Sequence, residues 1–527
     1  MRSSFVYKLI NKGIKIWSEG KNLKLSIPEG IALTNAEKDS LKKNKDSLLD
    51  FLISNEVYSK DHNFFIYRDH FKFSPLSSAQ ERLWFIEKFE EGTNAYNVPM
   101  IFSISVNANV DILVQSIRDI VYRHEILRTI IKEDHNNTPY QHVLDTNELE
   151  FDVSRKNVTD IDELDQELVL AANYIFNLYE EHPIKVCIYN ISNTNQRYIS
   201  VVIHHIAFDG WSVDIFLKEL WEYYNYNLAL SLGKKRELAL GELKIHYKDF
   251  AIWQKHNINE EKLKEQLEYW KRKLDGFEDL NLITDNPRPR KFDYKGKDIS
   301  FLLDSKLSSS LRQAAKDLRV SLFSVLLSGY YLMLWAYSKQ KDIIVGTPVA
   351  NRHYSEVENL IGFFINSLAL RITIDQQMDI KEYITKVSEE VIQAQVFQDL
   401  PFEMLVGEII NNQNTSKHPI FQVLFVVQSF GSEVNNSRNE KDNISSLIKP
   451  YEKENIIYNI ARFDISTYMD DSKETISGRF NYATSIYEES TIQAMISTYK
   501  HILQQLASFI QADNNSYSLA DFNIQIN

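Results

Sequence analysis

The run His204-His205-Ile206-Ala207-Phe208-Asp209-Gly210 constrains the fold of this chain more than any other stretch. It follows a β-branched, apolar segment at 198–203 that reads as a buried strand. Asp209-Gly210 reads as a sharp turn. The spacing of Val213, Phe216, Leu217, Leu220 and Tyr224 then predicts a helix, with Ser212 as its cap. Functional side chains collect at such junctions because the rigid scaffold ends there. Successive strand side chains point to opposite faces, so the two histidines cannot share one cavity. One is expected in the chemistry and the other in the fold. A metal site has no support, because no HExxH or CxxC spacing accompanies the pair and Cys187 is the sole cysteine.

The seven residues match an HHxxxDG pattern, and further motifs follow in order. They are Ser77-Ser78-Ala79-Gln80-Glu81-Arg82-Leu83-Trp84 (SxAQxRLW) and Arg123-His124-Glu125-Ile126-Leu127-Arg128-Thr129 (RHExLRT). Tyr247-Lys248-Asp249-Phe250-Ala251-Ile252-Trp253 fits YxDFAxW, and Ile361-Gly362-Phe363-Phe364-Ile365-Asn366-Ser367 fits IGxFVNT. Gln398-Asp399-Leu400-Pro401-Phe402-Glu403 fits QDxPFE, with Phe397 where His or Asn is usual, and Ser416-Lys417-His418-Pro419 is a loose SRNP. Through these residues, 71–527 resembles the condensation domains of nonribosomal peptide synthetases. The SSAQERLW opening and Tyr96-Asn97-Val98-Pro99 are similar to the type that accepts an L-configured donor.

That resemblance implies an α/β fold: two chloramphenicol-acetyltransferase-like lobes arranged as a V-shaped pseudo-dimer with a tunnel between them. The expected division is residues 1–56, a linker at 57–70, and lobes at 71–265 and 266–527. It also implies the chemistry, in which an acceptor amine attacks a carrier-bound acyl thioester and an amide forms. His205 is the functional histidine, as general base or as a stabiliser of the tetrahedral intermediate. Gly210 permits close backbone approach and offers its N–H. His204 is structural, and Asp209 orients the loop through an arginine for which Arg123, Arg128 and Arg352 are candidates. Asn366 and Trp211 are weaker candidates for the tunnel wall, with Trp211 and Trp84 more in keeping with a core. The chain itself needs no cofactor, since the substrate rides on the phosphopantetheine arm of a partner carrier protein.

Residues 1–56 carry their own pattern. Residues 4–17 read as one amphipathic helix in which Gly13 is a poor helix former, and residues 21–27 alternate as a half-buried strand. Pro28-Glu29-Gly30 reads as a turn before a second short strand at 32–34, and a closing helix is expected over 35–54. The Gly-Ile-x-Ile-Trp run, the hairpin and Lys45-Asp46-Ser47-Leu48-Leu49 resemble the N-terminal docking domains of tubulysin-type synthetases, small α/β units of helix, β-hairpin and helices. Such domains take up the C-terminal tail of an upstream synthetase, and an exposed hairpin edge suits strand addition. This segment holds ten Lys and Arg against seven Asp and Glu, in a chain whose net charge is −13. An acidic tail is therefore expected, with Lys21, Lys24, Lys38 and Lys42 as contacts. Residues 56–70 include Phe64, Phe65 and Tyr67, which suits a linker lying on the following domain rather than a flexible tether.

The acidic balance gives no electrostatic support to nucleic-acid binding. At 44% hydrophobic and 12% aromatic residues the chain is not disordered. One cysteine and no secretory signal point to the cytoplasm, and the apolar run at 322–337 reads as a core helix rather than a membrane span. Neither a carrier motif nor an adenylation loop follows. This resembles the free-standing terminal condensation domains of rhabdopeptide-type synthetases, which release a peptide onto a free amine. The alternatives are an internal elongation domain using an aminoacyl carrier, a silent docking scaffold, an epimerisation domain and a coenzyme A acyltransferase.

Overall fold

The computed structural model describes residues 2–527 except 11, 29–30, 56, 60–65, 69–72, 91, 150, 258–259, 411–414, 428–442, 452–458, 513–516 and 524–527. The chain divides into two compact units. The first comprises Met1–Lys264, Arg352–Phe364 and Ser437–Tyr451; the second comprises Glu265–Asn351, Ile365–Asn436 and Glu452–Asn527. Two segments from the C-terminal half of the sequence therefore belong to the first unit.

The first unit begins with α1 (Arg2–Ile10), β1 (Lys15–Glu19), β2 (Asn22–Ser26), α2 (Asn35–Lys43) and α3 (Lys45–Ser54). The expected helix over 4–17 ends early: Gly13 adopts φ +75° and Trp17 lies in a strand. The hairpin pairs β1 with β2, Trp17 opposite Lys24, around a two-residue turn opened by Gly20 at φ +63°. No second strand forms at 32–34. Thr34 instead caps α2 through a capping box with Glu37. The expected closing helix is two helices, broken at Asn44.

Beyond these elements lies a mixed five-stranded sheet. Its strand order is Ile448–Pro450, Asn97–Ile104, Arg197–His204, Ile184–Ile191, Val153–Val158. A three-stranded sheet (Phe73–Pro75, Pro139–Val143, Thr129–Glu133) stands beside it. Helices Val110–Arg123 and Gly210–Ser231 pack on each other. The predicted cap is displaced, because Asp209 and not Ser212 caps the second of them, its carboxylate accepting the Ser212 N–H at 2.9 Å.

The second unit is built on a six-stranded mixed sheet. The order is Gly296–Leu302, Ser477–Ala483, Ile465–Asp470, Val423–Val427, Asp342–Val349, Asn366–Thr373. Helices Ser305–Leu318, Leu322–Ser338, Ile380–Val396 and Glu489–Gln511 pack against it and one another. Leu322–Ser338 is apolar on nearly every side because it is buried on nearly every side. Among the described residues no single helix is long and apolar enough to cross a membrane.

Candidate active site

His204 ends the strand Arg197–His204 and is fully buried. Its Nδ1 accepts the Ile206 N–H at 3.1 Å, which leaves the proton on Nε2 to donate to Glu87 Oε1 at 3.0 Å. Both nitrogens are used inside the fold. His205 opens a short 3-10 turn and is only half-buried; its N–H donates to the Tyr96 carbonyl at 2.7 Å. The Phe363 ring packs on its imidazole edgewise at 4.9 Å. The two side chains thus have separate surroundings, although the second has already left the strand.

Asp209 is completely buried and each carboxylate oxygen is engaged. Oδ1 accepts from the Ser212 N–H, the Ser212 hydroxyl at 2.7 Å and Arg352 at 3.1 Å; Oδ2 accepts from Arg352 at 3.2 Å and the Phe364 N–H at 3.1 Å. Of the three candidate arginines only Arg352 reaches it. The Arg352 Nη1 group also donates to the carbonyls of Val357 and Leu360, both at 2.7 Å, and its guanidinium lies 4.1 Å over the Phe364 ring. Burial pulls the Arg352 pKa below its ordinary value, against the opposing pull of Asp209.

Arg123 and Arg128, the other two candidates, are engaged elsewhere. Arg123 donates to Glu219 Oε1 at 2.9 Å and to the Gly241 carbonyl; Arg128 donates to the Leu144 carbonyl and faces Glu125. The Glu219 that Arg123 meets also accepts from His124 Nε2 at 2.8 Å. Burial would raise the Glu219 carboxyl, but His124 and Arg123 outweigh it and hold it below the usual range.

Gly210 is the first residue of the helix Gly210–Ser231, where N–H groups have no intrahelical acceptor and the helix dipole is positive. Trp211 is not a core residue. It is 42% exposed, and its indole N–H donates to the Glu358 carbonyl at 3.2 Å, whereas Trp84 is buried. Asn366 spends its amide on the segment after Phe397: Nδ2 donates to the Gln398 and Leu400 carbonyls, and Oδ1 accepts from the Phe402 N–H. Its observed work is holding that loop. Phe397, the departure from the usual motif, stacks on Tyr269 at 3.8 Å.

Four further residues hold the turn: three of them the sequence leaves without a role there, and Ser212, expected as the cap, bonds Asp209 directly. The Gln80 side-chain amide donates to the Ile206 carbonyl at 3.2 Å. The Tyr247 hydroxyl donates to the Phe363 carbonyl at 2.5 Å and accepts from Ser77 at 2.7 Å. Ser212 donates to Asp209 and accepts the Gly362 N–H at 3.1 Å. A side chain on Gly362 would strike the Tyr247 ring, which leaves no room for a Cβ there. Glu87 and Glu219 carried a readable signal, each being an acid one helical turn from apolar residues of a buried face, such as Leu83 and Phe216.

In the N-terminal domain, Lys21, Lys24, Lys38 and Lys42 are all exposed. Lys24 already meets Glu19 across the hairpin at 3.0 Å. The outer edge of β1 is met by Val57, whose carbonyl accepts the Ser18 N–H at 2.9 Å, while β2 has no strand partner on its other side among the described residues. Among the described residues no group of three or more His, Cys, Asp or Glu is arranged to hold a metal.

The condensation-domain family model matches residues 71–522, and that of the TubC N-terminal docking domain matches residues 3–53. N-(5-amino-5-carboxypentanoyl)-L-cysteinyl-D-valine synthase of Amycolatopsis lactamdurans is 37% identical over 434 residues, covering 82% of this chain and 11% of that protein. Gramicidin S synthase 2 of Aneurinibacillus migulanus is 32% identical over 438 residues, covering 82% and 9%. The chain thus spans about a tenth of the length of these relatives. In fold it is similar to the X-domain from teicoplanin biosynthesis, with a TM-score of 0.75 and 21% identity over 88% of this chain and all of that one. It is similar also to the four-domain nonribosomal peptide synthetase AB3403, with a TM-score of 0.72 and 20% identity over 86% of this chain and 34% of that one. The chain belongs to the condensation-domain family, the amide-forming acyltransferases of nonribosomal peptide synthesis, and carries a TubC-type docking domain at its N-terminus.

Proposed function

We propose that this chain joins an acyl group, held as a thioester on an upstream carrier protein, to an amine, with His205 and Gly210 at the reacting atoms. The observation that carries the reading is the locked turn at 204–210. His204 is consumed by the fold, His205 is half-exposed beside Phe363, and Asp209 is held by Arg352, Ser212 and Phe364. The amine nitrogen bonds to the thioester carbon, the carbon–sulfur bond breaks, and the thiol leaves on the carrier arm. His205 takes the proton that the ammonium sheds or steadies the tetrahedral intermediate, and the Gly210 N–H meets the developing oxyanion. Holding both reactants can supply up to ~7–11 kcal/mol of the barrier. General-base help is typically worth about 10²–10⁴-fold.

The N-terminal domain recruits the tail of the preceding synthetase by strand addition along the open side of β2. Acidic residues of that tail meet Lys21 and Lys24, with Lys38 and Lys42 adding to the field. The donor arrives on phosphopantetheine, and the chain holds no cofactor of its own. The finer reading, terminal release onto a free amine, rests on the resemblance to rhabdopeptide-type terminal domains. Its rival, transfer to an aminoacyl carrier, is favoured by the long synthetases among the relatives. A silent scaffold is disfavoured because it has no use for so heavily fixed a turn.

The test is reconstitution with a peptidyl carrier bearing the upstream tail, a panel of free amines and a loaded downstream carrier, read by mass spectrometry. Amide from a free amine supports release. Product only on the downstream carrier makes this an elongation domain. Absence of both leaves the scaffold. Removing the tail should depress donor use, and unchanged tail affinity between low and high salt would count against the lysine contacts.

A further inference from the structure

The docking domain does not keep its core to itself. Tyr67 and Ile252, which follow it in sequence, are buried in one cluster with Val6, Tyr7, Leu9, Ile16, Phe51 and Leu52. Tyr7 stacks on His256 with centroids 6.1 Å apart, and its hydroxyl accepts the Tyr67 N–H at 2.8 Å. Ile252 and His256 lie on the helix Tyr247–Asn257, and Trp253 of that helix packs against the same cluster. A unit of some fifty residues buries little apolar surface alone, so borrowed core residues matter to it.

The same tryptophan packs on the segment that holds Asp209. Its ring lies 4.8 Å from Tyr354, two residues after Arg352, and 5.8 Å from Phe250. Phe250 packs on Phe364 at 4.7 Å, and Phe364 lies beneath the Arg352 guanidinium and gives its N–H to Asp209. The first residue of the helix, Tyr247, hydrogen-bonds the Phe363 carbonyl. One helix therefore carries the docking domain on its C-terminal half and the Arg352–Phe364 segment on its other contacts. Trp253 Nε1 is buried with no acceptor among the described residues, so packing rather than hydrogen bonding holds the ring.

We propose that the docking domain braces the catalytic turn as well as delivering donor: through Trp253, a positioning residue, its seat on the helix Tyr247–Asn257 holds Arg352–Phe364 against Asp209. Unseating it slows the chemical step even for a donor that needs no docking. The kinetic arm of the test rests on the condensation reading, whereas the exchange arm does not.

The experiment compares the full chain with Tyr7→Ala, Trp253→Ala and Trp253→Phe, using an acyl thioester of a small soluble thiol as donor. Amide hydrogen exchange of Gly362 and Phe364 is followed in parallel. Tyr7→Ala and Trp253→Ala should each lower kcat roughly tenfold, because small displacements of a fixed site cost rate. Donor KM should stay within about twofold, and the two amides should exchange faster. Trp253→Phe keeps a ring in place and should recover most of the rate. If the wild type makes no amide, the condensation reading fails and exchange alone decides the brace. A Tyr7→Ala chain whose β1 and β2 amides exchange faster, while Phe364 protection and kcat match wild type, overturns it.

Discussion

The turn at Asp209-Gly210, which opens a helix beyond the end of a strand, and the turn at Gly20-Lys21, which closes a hairpin, both use a glycine, yet they are finished in opposite ways. At Asp209, a carboxylate, an arginine, a serine and the N–H groups of Gly362 and Phe364 close on one another until each carboxylate oxygen has partners. At Gly20 the hairpin is met along β1 by Val57, while β2 has no further strand partner among the described residues. The first is a site held in a single geometry by distant parts of the chain. The second leaves the backbone groups along the far side of β2 without a strand partner among the described residues, the place proposed for tail binding. Damage to the first should appear as lost stability and rate, and damage to the second as lost affinity.

The largest effect is expected from Arg352→Ala. It leaves the Asp209 charge buried without its partner, a change that typically costs about 3–5 kcal/mol, and denaturant titration should show it. Arg352→Lys should not restore the loss, since a point charge cannot reach Asp209, Val357 and Leu360 together. Next comes Gly362→Ala, which sets a methyl against the fully buried Tyr247 ring. Overpacking of this kind costs about 1–3 kcal/mol, seen as a lower Tm. Gln80→Leu removes the donor from the buried Ile206 carbonyl and should cost a similar ~1–3 kcal/mol, with a fall in kcat because Ile206 adjoins His205.

A pH titration separates the two regions. The Glu37 carboxyl is held down to about 2, first by the hydrogen bond from Lys12 and then by the Thr34 N–H, against an ordinary value of 4.5. A depressed carboxyl stabilises the folded form above its unfolded pKa. The docking domain should therefore loosen as pH falls from 4.5 toward 2, and Glu37→Gln should flatten that dependence when the domain's amide resonances are followed. The smallest effect is Lys24→Glu at the hairpin. Exposed pairs are worth about 0.2–1 kcal/mol, so tail affinity should fall no more than about fivefold, with folding unchanged by circular dichroism.

Much of this was legible in the residues, for identifiable reasons. The strand–turn–helix at 198–224 follows from apolar periodicity, which acts over a few residues. The segregation of His204 from His205 is expected from a strand's alternation, but it arises because the strand ends at His204 and His205 opens a 3-10 turn. What escaped was long-range: Gln80 and Ile206 are 126 residues apart, and Tyr247 and Phe363 are 116 apart. No local spacing encodes such a partnership. The arginine of Asp209 was narrowed to three and settled only by where Arg352–Phe364 lies. In the docking domain the helix ends sooner than the sequence predicts, because Gly13, a weak helix residue by propensity, is a left-handed stop. The strand that pairs with Asn22–Ser26 therefore lies before Gly20 and not, as the sequence predicts, after Pro28.

The most direct measurement is the single-turnover rate of amide formation by the wild-type chain and by His205→Ala, with carrier-bound donor and saturating amine, followed by quenched mass spectrometry. A fall of roughly 10²–10⁴-fold with unchanged donor affinity and an unchanged Tm is the result expected on the proposed role of His205, since its ring packs on Phe363 while both ring nitrogens of His204 are used in the fold. Equal rates in the two proteins would contradict a catalytic His205 and leave positioning alone to account for the bond.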